Sequence, residues 1–93
     1  MQTITIRNGP DPEELSALGV TDWPIWTSEV SRFDWTYDAQ ETCYILEGAV
    51  TVTPEGGEPV SIGPGDLVTF PRGLSCVWAV TAPIVKHYRF ETG

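Results

Sequence analysis

The stretch GDLVTFPRGLSCVW, residues 65–78, contains two strand-like segments joined by a short connection. LVTF and SCVW are rich in β-branched and aromatic residues, which favour extended backbone. Between them, Pro71 interrupts strand pairing, and Gly73 occupies a position where we expect a backbone conformation that a side chain would oppose. The stretch therefore predicts two β-strands connected by a turn at Gly73.

Segments of the same composition recur along the rest of the chain, in TCYILE, AVTVTP, PVSI and IVKHYRF. PEGGEP and GPGD separate them and are typical of turns. Many short strands joined by Gly/Pro turns indicate an all-β sandwich or barrel. We expect eight or more strands, with Gly48, Gly65 and Gly73 in or beside turns.

One short helix is predicted ahead of the strands, in DPEELSALG. Asp11 is a suitable N-cap, Pro12 suits the first helical position, Glu14 lies three residues after the cap, and Gly19 suits a C-terminal stop. The 93 residues are enough for one domain. We expect an N-terminal arm over residues 1–25 and a barrel over residues 26–93.

Charge and composition restrict the class of protein. Thirteen acidic and five basic side chains leave a net charge of −8, which disfavours nucleic acid and anionic membrane surfaces as partners. The sequence shows no secretory signal and no apolar run near 18 residues, so we expect a soluble, cytoplasmic protein. Without a secretory signal, Cys43 and Cys76 are expected to be thiols rather than a disulfide.

The spacing of these residues resembles that of the cupin family. Gly65, Pro71 and Gly73 match its second motif, and Glu41 and Gly48, in ETCYILEG, match its first. The chain is similar, more narrowly, to the small single-domain cupins related to the ethanolamine-utilisation and ureidoglycine aminohydrolase cupin domains. The resemblance extends over about half of the chain, residues 35–80, and implies an all-β cupin-type jelly-roll barrel.

Cupins hold a metal with three histidines and a glutamate, and the resemblance places those ligands at positions that are mostly altered here. The histidines fall on Trp35, Tyr37 and Cys76, and only Glu41 is kept. Trp has no lone pair for a metal, and a phenol is a poor ligand near neutral pH. One carboxylate and one thiol are fewer than the three protein ligands of a usual catalytic site. We therefore expect no metal cofactor.

Strand alternation predicts which side chains share the interior with Glu41 and Cys76. Cys43 and Ile45 follow Glu41, Trp78 and Val80 follow Cys76, and we expect Trp35 and Tyr37 to join them. A buried Glu41 carboxylate needs a partner. The candidates are the Tyr37 phenol, an indole N–H, or a cation from the last strand.

In the last strand, IVKHYRF, Ile84, Lys86, Tyr88 and Phe90 form the more apolar face, which is expected to point inward. Lys86 would then pair with Glu41 or hold a ligand carboxylate, or it would extend to the barrel mouth or into solvent. His87, the only histidine, belongs to the opposite face. We expect it at the surface or an interface rather than in acid–base catalysis.

Three functions from different classes remain open. The first is a metal-independent barrel that binds a small polar or aromatic metabolite, as a binding protein or an enzyme, and whose aromatic faces and carboxylate suit a cationic or hydrogen-bonding ligand. The second is a cupin enzyme that keeps a metal through Glu41 and Cys76, and the third is a dimeric structural module. We expect a homodimer that buries the apolar segment Trp23–Trp26 or an edge strand. The predicted ligand-binding residues are Trp35, Tyr37, Glu41, Cys43, Cys76, Trp78 and Lys86.

Overall fold

A computed structural model describes residues 4–91 of the chain. Its strands are β1 (Thr5–Asn8), β2 (Ile25–Ser28), β3 (Ser31–Thr36), β4 (Gln40–Pro54), β5 (Val60–Ile62), β6 (Asp66–Phe70) and β7 (Ser75–Glu91). One helix, α1 (Pro12–Leu18), and a 3₁₀ turn, Val20–Asp22, lie between β1 and β2. In the described range, no helix is long and apolar enough to cross a membrane.

The helix has the expected ends. Asp11 is its N-cap, Pro12 opens it, and Gly19 ends it in the left-handed conformation with φ 71°. The Asp11 side chain makes no capping hydrogen bond, and Glu14 instead pairs with Arg7 of β1. The predicted N-terminal arm also supplies an edge strand that the sequence did not predict, because β1 pairs with β6.

The sheet is organised around two long antiparallel strands, β4 and β7, which pair along most of their length. β6 and β5 pair with opposite halves of β4, and β2 and β3 pair with opposite halves of β7. All strand pairs are antiparallel, so the predicted all-β class is confirmed. The structure has seven strands in residues 4–91, fewer than the eight or more expected.

The difference in strand number has a local cause, because two pairs of predicted strands are each continuous. TCYILE and AVTVTP form the single strand β4, and SCVW and IVKHYRF form the single strand β7. Gly48 lies at an irregularity within β4 rather than in a turn. The buried positions of β4 change there from odd numbers, ending at Ile45, to even numbers, beginning at Val50. An extra residue in a β-bulge produces this change of face. The expected turn positions of Gly65 and Gly73 are correct, and both have φ 87°.

The core lies between the buried faces of β4, β6 and β7. Alternate residues of β7 are buried, from Cys76 through Trp78 and Val80, and then Ile84 and Lys86. The alternation continues past Pro83, which lies opposite the β4 irregularity and outside the paired register. Proline has no N–H to donate, so a bulge is a suitable place for it in a strand.

Candidate functional site

A cavity of about 160 Å³ opens at one end of the core, beside the first half of β4 and the second half of β7. Its walls are almost entirely aromatic, with one acidic and one basic side chain. The residues that line it are Trp26, Phe33, Trp35, Tyr37, Glu41, Trp78, Lys86, Tyr88 and Phe90.

The aromatic walls are packed against one another. Phe33 stacks on Trp78 with ring centroids 6.1 Å apart, and Trp26 meets both rings edge-on. On another side, Tyr37 stacks on Phe70 at 4.9 Å. Offset and edge-to-face pairs of this kind are favourable and hold the rings in fixed orientations. The cavity therefore has a defined shape rather than a flexible lining.

The two charged residues of the cavity form a buried ion pair. Lys86 Nζ lies 2.8 Å from Glu41 Oε2, and the side chains are 6% and 4% exposed. The ammonium also lies 4.5 Å from the Trp78 ring centroid and 5.0 Å from that of Trp26. These contacts place Lys86 inside the barrel, so its side chain does not extend into solvent. Of the alternatives that the sequence left open, the structure shows the pairing of Lys86 with Glu41. Of the aromatic faces expected to hold a cationic ligand, that of Trp78 is occupied by Lys86 itself.

Tyr37 contributes a neutral hydroxyl to the same cavity. Trp78 Nε1–H donates a hydrogen bond to Tyr37 Oη over 3.2 Å. Burial raises the pKa of Tyr37 well above its ordinary range, and the nearby Glu41 carboxylate raises it further. The phenol therefore stays protonated across the physiological pH range.

The two cysteines are buried as expected but do not line the cavity. Cys43 is fully buried in β4 and Cys76 is 5% exposed in β7, and both are free thiols. Burial raises the pKa of Cys43 to about 12 and also raises that of Cys76. The structure therefore places these two predicted ligand-binding residues in the core, beside the cavity, as packed thiols.

Trp35 is more exposed than the sequence predicted, and His87 is more buried. Trp35 lines the cavity but is 46% exposed, because it lies near the end of β3 at the mouth of the cavity. His87 is 8% exposed, and its Nδ1 donates to the carbonyl oxygen of Trp23 over 2.9 Å. The expectation of a surface position for His87 is wrong, since this bond buries it against the segment before β2.

Four lining residues were absent from the predicted site: Trp26, Phe33, Tyr88 and Phe90. Phe33 could have been found, because it lies two residues before Trp35 on the same strand. Tyr88 and Phe90 were predicted to share the inward face with Lys86. Trp26 gave no signal in the sequence, since its position depends on the pairing of β2 with β7, in which Trp26 faces Lys86.

Comparison with known proteins agrees with this fold. Residues 15–88 match the model of the EutQ-like cupin domain. The chain belongs to this family. The match confirms the resemblance to small ethanolamine-utilisation cupins and the cupin-type jelly-roll fold. No curated protein matches this EutQ-like cupin.

Solved structures show the same relationship. A DUF861 family protein from Thermotoga maritima is 55% identical and has a TM-score of 0.93, over 96% of this chain and 100% of that one. The EutQ protein of Clostridium difficile is 20% identical with a TM-score of 0.66, over 96% of this chain and 68% of that one. A DUF861 family protein of unknown function from Pseudomonas syringae is also 20% identical with a TM-score of 0.66, and this chain spans 44% of it. The last two likenesses show the fold alone.

The residues of this EutQ-like cupin do not fit the metal site that the cupin fold implies. Within residues 4–91, no cluster of three or more His, Cys, Asp or Glu side chains could hold a metal ion. Glu41, at the position of the family's glutamate, already pairs with Lys86. A metal at Glu41 would have to displace a buried ammonium without the several donor groups that offset the lost hydration of a divalent ion.

Proposed function

We propose that this cupin binds a small organic molecule in its aromatic cavity, without a catalytic metal. The observation that supports the proposal most strongly is the Glu41–Lys86 pair, which is buried yet lines an open cavity. Buried ion pairs contribute little net stability, because desolvation of both charges offsets their attraction. A polar pair in an otherwise aromatic wall is the usual form of a small-ligand site.

The size of the cavity limits the ligand. An enclosed apolar cavity of roughly 150 Å³ binds benzene, and this cavity of about 160 Å³ is similar in volume and open at its mouth. A ligand with one ring or a short chain therefore fits, whereas a nucleotide or a larger cofactor does not. The aromatic rings favour a flat, mainly apolar body.

The charges of the cavity limit the ligand further. Glu41 and Lys86 neutralise each other, so neither a cation nor an anion gains a full opposite charge on entering. A charged ligand would also lose its hydration in the aromatic surroundings. A neutral molecule with one polar group is therefore the ligand that the site favours.

Indole resonances in a ¹H–¹⁵N NMR spectrum can test this proposal, with small neutral ring compounds as probes. Three of the four tryptophans, Trp26, Trp35 and Trp78, line the cavity, whereas Trp23 does not and serves as an internal control. We expect probes to shift the resonances of the three lining indoles and to leave that of Trp23 unchanged. Failure of every probe to shift the lining indoles would contradict the proposal. In one-dimensional ¹H spectra of the same samples, new small-molecule resonances that grow with time would show that the protein converts the probe.

A native mass spectrum of gently purified protein distinguishes metal-free ligand binding from the second function that the sequence left open, a metal-dependent enzyme. We expect a retained small organic molecule or none, and no metal. A stoichiometric retained metal would favour the metal-dependent cupin enzyme that uses Glu41 and Cys76.

A further inference from the structure

The Tyr37 hydroxyl is a buried polar group of the cavity whose hydrogen-bonding capacity is incompletely used. It accepts a hydrogen bond from Trp78 Nε1–H, and an indole N–H can only donate. Tyr37 must therefore be the acceptor in this bond, and its own proton is left to be donated elsewhere. In the described part of the chain, the bond to Trp78 is the only hydrogen bond that this hydroxyl makes.

A donor in this position has a cost if it stays unpaired. Tyr37 is 1% exposed, so bulk solvent does not surround its hydroxyl. Because burial and Glu41 raise the pKa of Tyr37, the proton is retained and remains available for donation. Leaving a buried donor unpaired costs about 1 to 3 kcal/mol, and an acceptor inside the cavity would remove that cost.

The Glu41–Lys86 ion pair does not accept the Tyr37 proton, because no hydrogen bond joins the Tyr37 hydroxyl to either side chain in the described structure. Glu41, the only carboxylate among the lining residues, accepts from Lys86. Lys86 has three N–H donors and no acceptor, and its ammonium lies over the Trp26 and Trp78 rings. The Tyr37 proton is therefore left for an acceptor that enters the cavity.

We propose that the cavity recognises a neutral ring compound through a carbonyl-type oxygen that accepts a hydrogen bond from the Tyr37 hydroxyl. This inference rests on the proposed function, and it specifies the class of ligand. Trp78 fixes the direction of the hydroxyl, because its N–H occupies one side of the phenol oxygen. A ligand without an acceptor leaves the Tyr37 proton unpaired, and a positive charge close to Lys86 is repelled.

Three probes with the same six-membered ring test the inference: cyclohexanone, cyclohexane and cyclohexylamine, titrated against the Trp26 and Trp35 indole resonances. Cyclohexanone loses more hydration than cyclohexane on entering the cavity, so the ratio of the two affinities is compared between wild type and variants. Cyclohexylamine, a cation at neutral pH, should bind most weakly. In Tyr37→Phe the ratio of the ketone affinity to the hydrocarbon affinity should fall about tenfold, which corresponds to one buried hydrogen bond. Tyr44→Phe, which alters a tyrosine outside the cavity, should leave this ratio unchanged.

The carbonyl ¹³C resonance of bound cyclohexanone gives a second measurement that needs no variant, and we expect it to move downfield as a hydrogen bond forms. An unchanged ratio of ketone to hydrocarbon affinity in Tyr37→Phe would overturn the inference but leave cavity binding intact. A fall of the ratio in Tyr88→Phe but not in Tyr37→Phe would also overturn it, because Tyr88 lines the cavity too. If none of the three probes binds, both this inference and the proposed function are wrong.

Discussion

Lys86 and Glu41 form an ion pair of 2.8 Å between β7 and β4, and the ammonium lies over the faces of Trp78 and Trp26. Each charge is almost completely removed from water. The cation–π contacts stabilise the ammonium, and the ammonium attracts the carboxylate. Removal of either partner leaves the other charge without its main source of stabilisation.

This relationship predicts strong coupling between substitutions at the two positions. Lys86→Met and Glu41→Met should each lower the free energy of unfolding by about 3 to 5 kcal/mol, because each leaves a buried charge unpaired. The double variant should cost much less than the sum, since two methionines fill a similar volume without charge. Urea-induced unfolding of all four proteins measures the coupling. Additive costs would show that the two charges do not stabilise each other.

Metal content is the next testable property. We expect elemental analysis of purified protein to find no stoichiometric zinc, iron, nickel or manganese, because the available donors are too few. Incubation with each metal followed by desalting should give the same result, and Glu41→Gln should not change it. A stoichiometric metal that is lost in Glu41→Gln or Cys76→Ala would contradict this expectation.

Alkaline pH should destabilise the protein through its buried thiol. The pKa of Cys43 rises from its ordinary value of 9.0 to about 12 on folding. Between these pH values the unfolded chain binds fewer protons than the folded one, so the free energy of unfolding falls as pH rises. The slope for this one group is about 1.4 kcal/mol per pH unit. Tyr37 changes in the same direction, because burial raises its pKa as well.

Chemical denaturation from pH 8 to pH 11 measures this effect in wild type and in Cys43→Ala. The variant is less stable at every pH because of the volume removed, so the slopes are compared rather than the absolute values. We expect a shallower fall in the variant above pH 9. Parallel curves would show that Cys43 ionises equally easily in the folded and unfolded chains.

Local patterns predicted the fold class, the helix ends and the inward face of β7, and the resemblance to cupins implied the burial of Glu41. Each of these depends on alternation or on residues close in sequence. The positions of Trp26 and of the Gly48 bulge depend instead on pairing between distant strands, which one sequence does not specify. Trp35 was predicted to be inside from its place in the cupin motif, and its exposure follows from its distance to the mouth of the cavity. The partner of Glu41 was among the predicted candidates, but only the structure distinguished Lys86 from Tyr37.

We propose that the protein forms a homodimer, and the structure limits which residues of the apolar segment Trp23–Trp26 could lie in the dimer interface. Of the segment Trp23–Trp26, Ile25 is 57% exposed on β2, whereas Trp26 faces the cavity. In residues 4–91, β2 pairs only with β7, so its other edge is available to a second copy.

We expect sedimentation velocity at tens of micromolar protein, a concentration above that of weak self-association, to show a homodimer. Ile25→Lys should convert it to a monomer, because a charged residue on an edge strand opposes pairing. Val30→Lys, at another exposed apolar position, is the control and should stay dimeric. A monomeric wild type would contradict the proposal.

The β4 bulge makes Gly48 a glycine at which substitution should be strongly destabilising. Its φ is 92°, and a Cβ there would overlap the Pro83 carbonyl oxygen and lie 2.7 Å from Ile84 Cα. Both contacts are with the β7 backbone, which cannot rotate away as a flexible side chain can. Gly48→Ala should therefore lower the free energy of unfolding by about 2 to 5 kcal/mol, from left-handed strain together with overpacking.

Gly63→Ala is the matched control, since Gly63 lacks a positive φ and a Cβ there would meet nothing within 4 Å. It should change stability by less than about 1 kcal/mol. Thermal unfolding of the two variants distinguishes the positions, and equal midpoints would show that β4 and β7 separate at the bulge without cost.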